Sequence, residues 1–194
     1  MPLIDRDDCV LVVIDAQDGF YGPDRADVDR VLMRASLDRA AWVCALAAAL
    51  DVPTVVTEED AATNGHTDPA IAAALPGLHA FDKSVFGAAD EPLVDAAVVA
   101  TGRRTVVIVG METDVCVTHA ALGWADRGLR VLVVRDAVYS AGSANAAGIR
   151  RLEQEGITLL SAKQVYYEWL RTLPAVRAFD AAHPSLASPP GFSL

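Results

Sequence analysis

The chain has 194 residues, a length at which one domain can bury a substantial core without disulfides or a structural metal. Its composition is 53% apolar, but much of that is alanine, and no apolar run approaches the roughly 20 residues of a spanning helix, so hydropathy excludes a membrane span. A formal charge of −10, from 26 acidic against 16 basic residues, opposes nucleic-acid phosphates and anionic lipid surfaces, and no basic cluster offsets it. The expected partner is therefore a small molecule, with neither nucleic acid nor membrane.

The opening MPLIDRDDCV places acidic residues before the first apolar run, where a secretory signal would need a basic start, so a cytoplasmic location is expected. Cys9, Cys44 and Cys116 are widely spaced, show no paired metal-ligand spacing and are expected to be reduced thiols. The first apolar run, CVLVVID at 9–15, has the near-continuous pattern of a strand buried on both faces and ends in Asp15. A helical segment rich in Ala, Leu and Arg follows over about 28–50, stopped by Asp-Val-Pro. Then come a strand at 52–57, a helix at 68–75, a weaker strand at 78–83 ending in Lys83, and a helix at 90–101. Further strands at 105–110, 129–134 and 156–160 are separated and followed by helical segments at 114–127, 143–155 and 163–171. Strand alternating with helix at short spacing predicts an α/β fold, a three-layer doubly wound sandwich with a mostly parallel sheet of about six strands. A single domain is expected over 1–194, with a core of about 7–172. The proline-rich, aperiodic segment 174–194 is either a loose tail or an arm laid on a neighbouring subunit. Trp42, Trp124 and Trp169 fall in helical segments as packing or interface residues, and the helices of Trp124 and Trp169 are expected contact surfaces.

In an open parallel sheet ligands collect beyond the carboxyl ends of the strands, which singles out Asp15, Lys83 and Cys116. Cys116 lies in the first turn or so of a helix that Thr113 or Asp114 can cap, where free N–H groups would lower the thiol pKa and hold an oxyanion. Each residue also has an ordinary reading: a buried small hydrophobe for Cys116, a turn-capping carboxylate for Asp15, a solvated loop lysine for Lys83. Together they form a coherent set of nucleophile, proton acceptor and cation. No Gly-rich phosphate cradle follows the first strand, and the second carboxylate, Asp18, falls three residues after Asp15, which argues against nucleotide binding and aspartyl phosphatase chemistry.

Three segments resemble the isochorismatase-like cysteine hydrolase superfamily: VLVVIDAQDGF, KSVFGAADEPLV and TVVIVGMETDVCVTHAALGWADRG, followed by VLVVRDAV. The similarity covers about residues 7–170 in the family's order. It implies hydrolysis of an amide or other C–N bond, with Asp15 accepting the thiol proton, Lys83 fixing the carboxylate and Cys116 attacking the carbonyl. It also implies an oxyanion site at the backbone of Cys116 and a preceding residue such as Val115, a non-proline cis peptide at Met111–Glu112, and a homo-oligomer, dimer or larger. Phe20, Tyr21 and Phe86 follow the motifs closely enough to line a small pocket, and His119 points either into or out of it.

The departures bear on chemistry. In the nicotinamidase branch an Asp-x-His segment binds a metal after the second strand, whereas TEEDAATNGH places Glu59 and Ala61 at those positions, and His66 alone makes no chelating set. No metal and no other cofactor is expected. Vinyl-ether hydrolysis and a non-catalytic scaffold are the alternative readings; retention of Cys116 favours acyl chemistry.

Overall fold

The computed structural model describes residues 3–17, 19–77 and 79–194; Leu78, at the head of the expected third strand, and Asp18 lie outside them. Six strands run parallel in one sheet, β1 (Cys9–Ile14), β2 (Thr54–Glu59), β3 (Ala80–Lys83), β4 (Thr105–Met111), β5 (Arg130–Tyr139) and β6 (Thr158–Leu160), in the order β3-β2-β1-β4-β5-β6. The chain builds outward from β1 to β3, returns to place β4 beside β1, and builds outward again. The order therefore reverses between β1 and β4, the position at which crossover connections part and leave a crevice.

The helices are α1 (Arg30–Ala49), α2 (Ala61–Asn64), α3 (Pro69–Ala74), α4 (Pro92–Ala100), α5 (Thr118–Asp126), α6 (Ala144–Gln154), α7 (Ala162–Leu170) and α8 (Leu173–Ala182). Their starts follow capping chemistry. Asp29 accepts from Leu32 N–H, Asp68 from Ala70 N–H, and Ser161 with Gln164 forms a reciprocal capping box at α7. No helix among the described residues is long and apolar enough to cross a membrane.

Alternation along the strands divides the core into two layers. In β1, Cys9, Leu11 and Val13 face the layer beneath α1 and α7, while Val10, Val12 and Ile14 face the layer beneath α4, α5 and α6. All six residues of β1 are buried, which is why its sequence reads as an unbroken apolar run.

Two expectations are corrected. The segment 174–194 is not loose, because α8 takes in its first nine residues, with Phe179 buried. The rest returns over α1: Trp42 Nε1 donates to the Leu186 carbonyl at 3.0 Å, and the Phe192 ring stands edge-on to Trp42 at 5.4 Å. Trp124 and Trp169 do not mark a contact surface either. Both are buried, Trp124 completely, with its Nε1 donating to Asp95 at 3.0 Å.

Candidate active site

The carboxyl ends of four adjacent strands meet above the crevice between β1 and β4. Asp15 is the first residue past β1, Lys83 the last of β3, and Cys116 lies five residues past β4 in a wide π-type turn, Thr113–Val117, that leads into α5. Asp15 takes a left-handed backbone conformation, φ 42°, one that Asp tolerates better than most residues and that recurs at functional sites.

Lys83 Nζ lies 2.7 Å from Asp15 Oδ2, and both side chains are fully buried. The ammonium also donates to the carbonyls of Val85 at 2.9 Å and Phe86 at 3.3 Å, and it stands 3.9 Å from Cys116 Sγ. On the other side of Asp15, the Thr57 hydroxyl donates to Oδ1 at 2.6 Å, and the Asp15 N–H donates to the Thr57 carbonyl at 3.1 Å. Oδ2 is partnered by the Lys83 ammonium, a buried charge-assisted contact. Each carboxylate oxygen thus has a buried partner, Thr57 on Oδ1 and Lys83 on Oδ2.

A fourth residue completes the cluster. The Cys116 thiol donates to Glu59 Oε2 at 3.0 Å, and Lys83 Nζ lies 3.8 Å from the same oxygen. Strand alternation explains its placement: Thr57 and Glu59 share one face of β2, while Glu58 on the opposite face accepts from the Thr67 N–H and hydroxyl at 2.7 and 2.6 Å. Gln17 fixes Glu59 through its backbone, accepting the Glu59 N–H at 2.7 Å and donating to the Glu59 carbonyl at 3.1 Å. The sequence reading treated Glu59 only as the occupant of a lost metal position. Its place at the carboxyl end of the strand beside β1 was the signal that would have found it.

Burial pushes the Cys116 thiol well up, reinforced by the Asp15 charge and the hydrogen bond to Glu59, with Lys83 acting against them. This direction runs against the expectation of a lowered thiol pKa, because desolvation and two neighbouring carboxylates act on the sulfur. Burial likewise raises Asp15, against the pull of Lys83 and Thr57. The expected caps are not made. Thr113 donates to Asn145 at 2.6 Å, and Asp114 exchanges hydrogen bonds with Ser140 instead of closing the turn.

The Met111–Glu112 peptide bond is cis. Tyr21 is buried and donates its hydroxyl to Glu112 Oε1 at 2.6 Å, so it braces this turn, and half-buried Phe20 packs with it on the α1 side of the core. Phe86 lines a cavity of about 420 Å³ with Glu59 and Lys83, and neither Phe20 nor Tyr21 is in the lining of that cavity. His119 is exposed at the rim, edge-on to Phe86 at 6.1 Å. The Val115 N–H already donates to the Glu112 carbonyl at 3.2 Å, which corrects its assignment as an open oxyanion donor.

Asp15, Glu59 and Cys116 bring three possible metal-ligand atoms within 4.8 Å of one another. The Lys83 ammonium contacts all three, so the cation they surround is a lysine side chain. His66 lies elsewhere, exposed and 3.1 Å from Glu58.

The isochorismatase domain profile matches residues 9–164 of the chain. Isochorismatase domain-containing protein 2 of Bos taurus is 32% identical over 156 residues, spanning 79% of this chain and 71% of that protein. Among solved structures, the ycaC gene product of Escherichia coli, an octameric hydrolase of unknown specificity, aligns with a TM-score of 0.81 at 24% identity over 96% of this chain and 93% of that one. YcaC of Pseudomonas aeruginosa, solved with hexane-2,5-diol and covalent acrylamide, aligns with a TM-score of 0.79 at 24% identity over 95% and 94%. These two likenesses show a shared fold. With its profile match over most of its length and its bovine relative, the chain belongs to the isochorismatase domain family.

Proposed function

We propose that this protein is a cysteine hydrolase that cleaves an amide or other C–N bond of a small metabolite through an acyl-enzyme on Cys116. The observation that carries this reading is a thiol placed 3.9 Å from the ammonium of a fully buried Asp15–Lys83 pair at the carboxyl edge of the sheet. A nucleophile, a proton acceptor and a fixed cation within one buried cluster are the parts that acyl transfer needs.

In this mechanism the thiol, held against Glu59 Oε2 at 3.0 Å, starts with its proton, so attack and deprotonation are coupled. As the sulfur adds to the substrate carbonyl, its proton passes to Asp15, whose affinity for a proton is raised by burial. Lys83 offsets negative charge on the sulfur, and the Cys116 N–H serves the oxyanion. Collapse expels the amine, which takes the proton from Asp15. Water, deprotonated by Asp15, then adds to the thioester, and the acid leaves as the thiol regains its proton. Overall, one amide and one water give one acid and one amine. Glu59 holds the S–H in the resting state and must release it for the transfer to Asp15.

A homo-oligomer is part of the proposal, suggested by the octameric Escherichia coli protein of the same fold. A cytoplasmic setting fits three cysteines that are all free thiols.

The deciding experiment is ammonia or amine release from a panel of small primary amides, carbamoyl compounds and ureido acids, comparing the wild type with Cys116→Ala. Turnover lost by at least a thousandfold in the variant is the expected result. Turnover that survives the substitution would overturn the acyl-enzyme, and absence of turnover on every compound, with hydrolysis of a vinyl ether instead, would overturn the C–N assignment.

A further inference from the structure

The cavity that opens onto Glu59 and Lys83 has an unbalanced wall. Besides those two it is lined by Asp60, Asp82, Glu91 and Phe86. Its one cation, Lys83, is neutralised by Asp15 at 2.7 Å, so it offers little net positive charge to a ligand. Four carboxylates remain, Glu59, Asp60, Asp82 and Glu91. Among the described residues none of Asp60, Asp82 and Glu91 has an ion-pair partner; the Arg127 guanidinium nearby is taken by Asp90 and Asp95. Asp82 accepts the Ala61 N–H at 3.0 Å, which fixes its carboxylate without neutralising it.

Two further features make this wall part of a ligand site. Directly behind its lining residues Glu59 and Lys83 lies the Cys116 thiol, 3.0 Å from Glu59 Oε2 and 3.9 Å from Lys83 Nζ. At its outer end Phe86 is 55% exposed, an aromatic side chain beside the carboxylates. An anionic substrate would approach Cys116 through a field of its own sign, whereas a cation would meet carboxylates and an aromatic face.

Resting on the hydrolase reading of Cys116, we propose that the site selects small cationic substrates: amides carrying an ammonium, amidinium or trialkylammonium group that sits among Asp60, Asp82, Glu91 and the Phe86 ring while the carbonyl meets the sulfur. Carboxylate-bearing amides and ureido acids are the disfavoured members of the same class.

The selectivity can be read without turnover. Methanethiosulfonate reagents of matched size, bearing a trialkylammonium, a neutral or a sulfonate group, react with a thiol to give a mixed disulfide and release methanesulfinate; the thiol proton passes to solvent. Labelling of Cys116 in the full-length protein, located by peptide mass and divided by each reagent's rate with a small free thiol, is expected to be at least tenfold faster for the cationic reagent than for the anionic one. That ratio is expected to fall several-fold in an Asp60→Asn/Glu91→Gln variant and in high salt. Equal labelling, a reversed preference, a ratio unmoved by the double substitution, or no labelling of Cys116 by any reagent would each overturn the proposal. The preference in a protein that hydrolyses no amide would sink the hydrolase reading and leave cation selection standing; turnover of neutral and anionic amides as fast as cationic ones would do the reverse.

Discussion

Asp15 and Lys83 take the place of each other's lost hydration. Two opposite charges with fully buried side chains at 2.7 Å are stable as a pair, but either one alone is a buried charge without compensation. Asp15→Asn and Lys83→Met are therefore each expected to cost about 3–5 kcal/mol of stability. The double variant, whose pair is neutral, is expected to recover much of that sum. Urea unfolding of the four proteins at pH 7 measures the coupling, and additive losses would show that the two groups do not support each other. Both residues were visible in the sequence as the ends of apolar runs. Glu59 was less so, because two adjacent glutamates close β2 and only the sheet's alternation decides which faces the thiol.

The element that positions the nucleophile is the turn Thr113–Val117, held from outside by side chains distant in sequence. Asn145 receives the Thr113 hydroxyl, and Ser140 binds Asp114. Helix α6 lies so close that a methyl group at Gly148 would sit 2.7 Å from Asp114 N and 2.8 Å from its Cα, which is backbone and cannot swing aside. Gly148→Ala should thus destabilise the protein by about 1–3 kcal/mol by overpacking. Helix propensity alone would favour that substitution by up to about 1 kcal/mol, so the sign of the change distinguishes packing from propensity. Thermal or urea unfolding gives the sign, and a changed rate of Cys116 modification would show that the displaced turn carries the sulfur with it. The capping expectation failed at this same element. Thr113 and Asp114 have the right chemistry for caps, but partners some 30 residues away compete for their side chains.

Across the whole molecule, all three cysteines are buried free thiols. Burial pushes Cys9 up to about 11 and raises Cys44 and Cys116 further. A thiol raised in the folded state stays protonated while its unfolded counterpart ionises, so the native state binds more protons above the ordinary thiol value of 9.0. Stability is then complete below about pH 8 and falls as pH rises through 9 and beyond, by up to about 1.4 kcal/mol per pH unit for each thiol. Urea unfolding at pH 7.5 and 10 is expected to show this loss, and Cys44→Ala to reduce it; a Cys44→Ala slope as steep as the wild type would exclude Cys44 as a source.

The order of strands and helices, the burial of β1 and the convergence of Asp15, Lys83 and Cys116 on one edge were determined by the sequence, because each rests on local periodicity and on the rule that parallel strands present their carboxyl ends together. The upward pull of burial on the thiol pKa, its hydrogen bond to Glu59, the bracing of the cis-peptide turn by Tyr21 and the return of the C-terminal segment over Trp42 were decided only by tertiary structure. Burial and contacts between groups far apart along the chain set those features, and local sequence patterns do not record them.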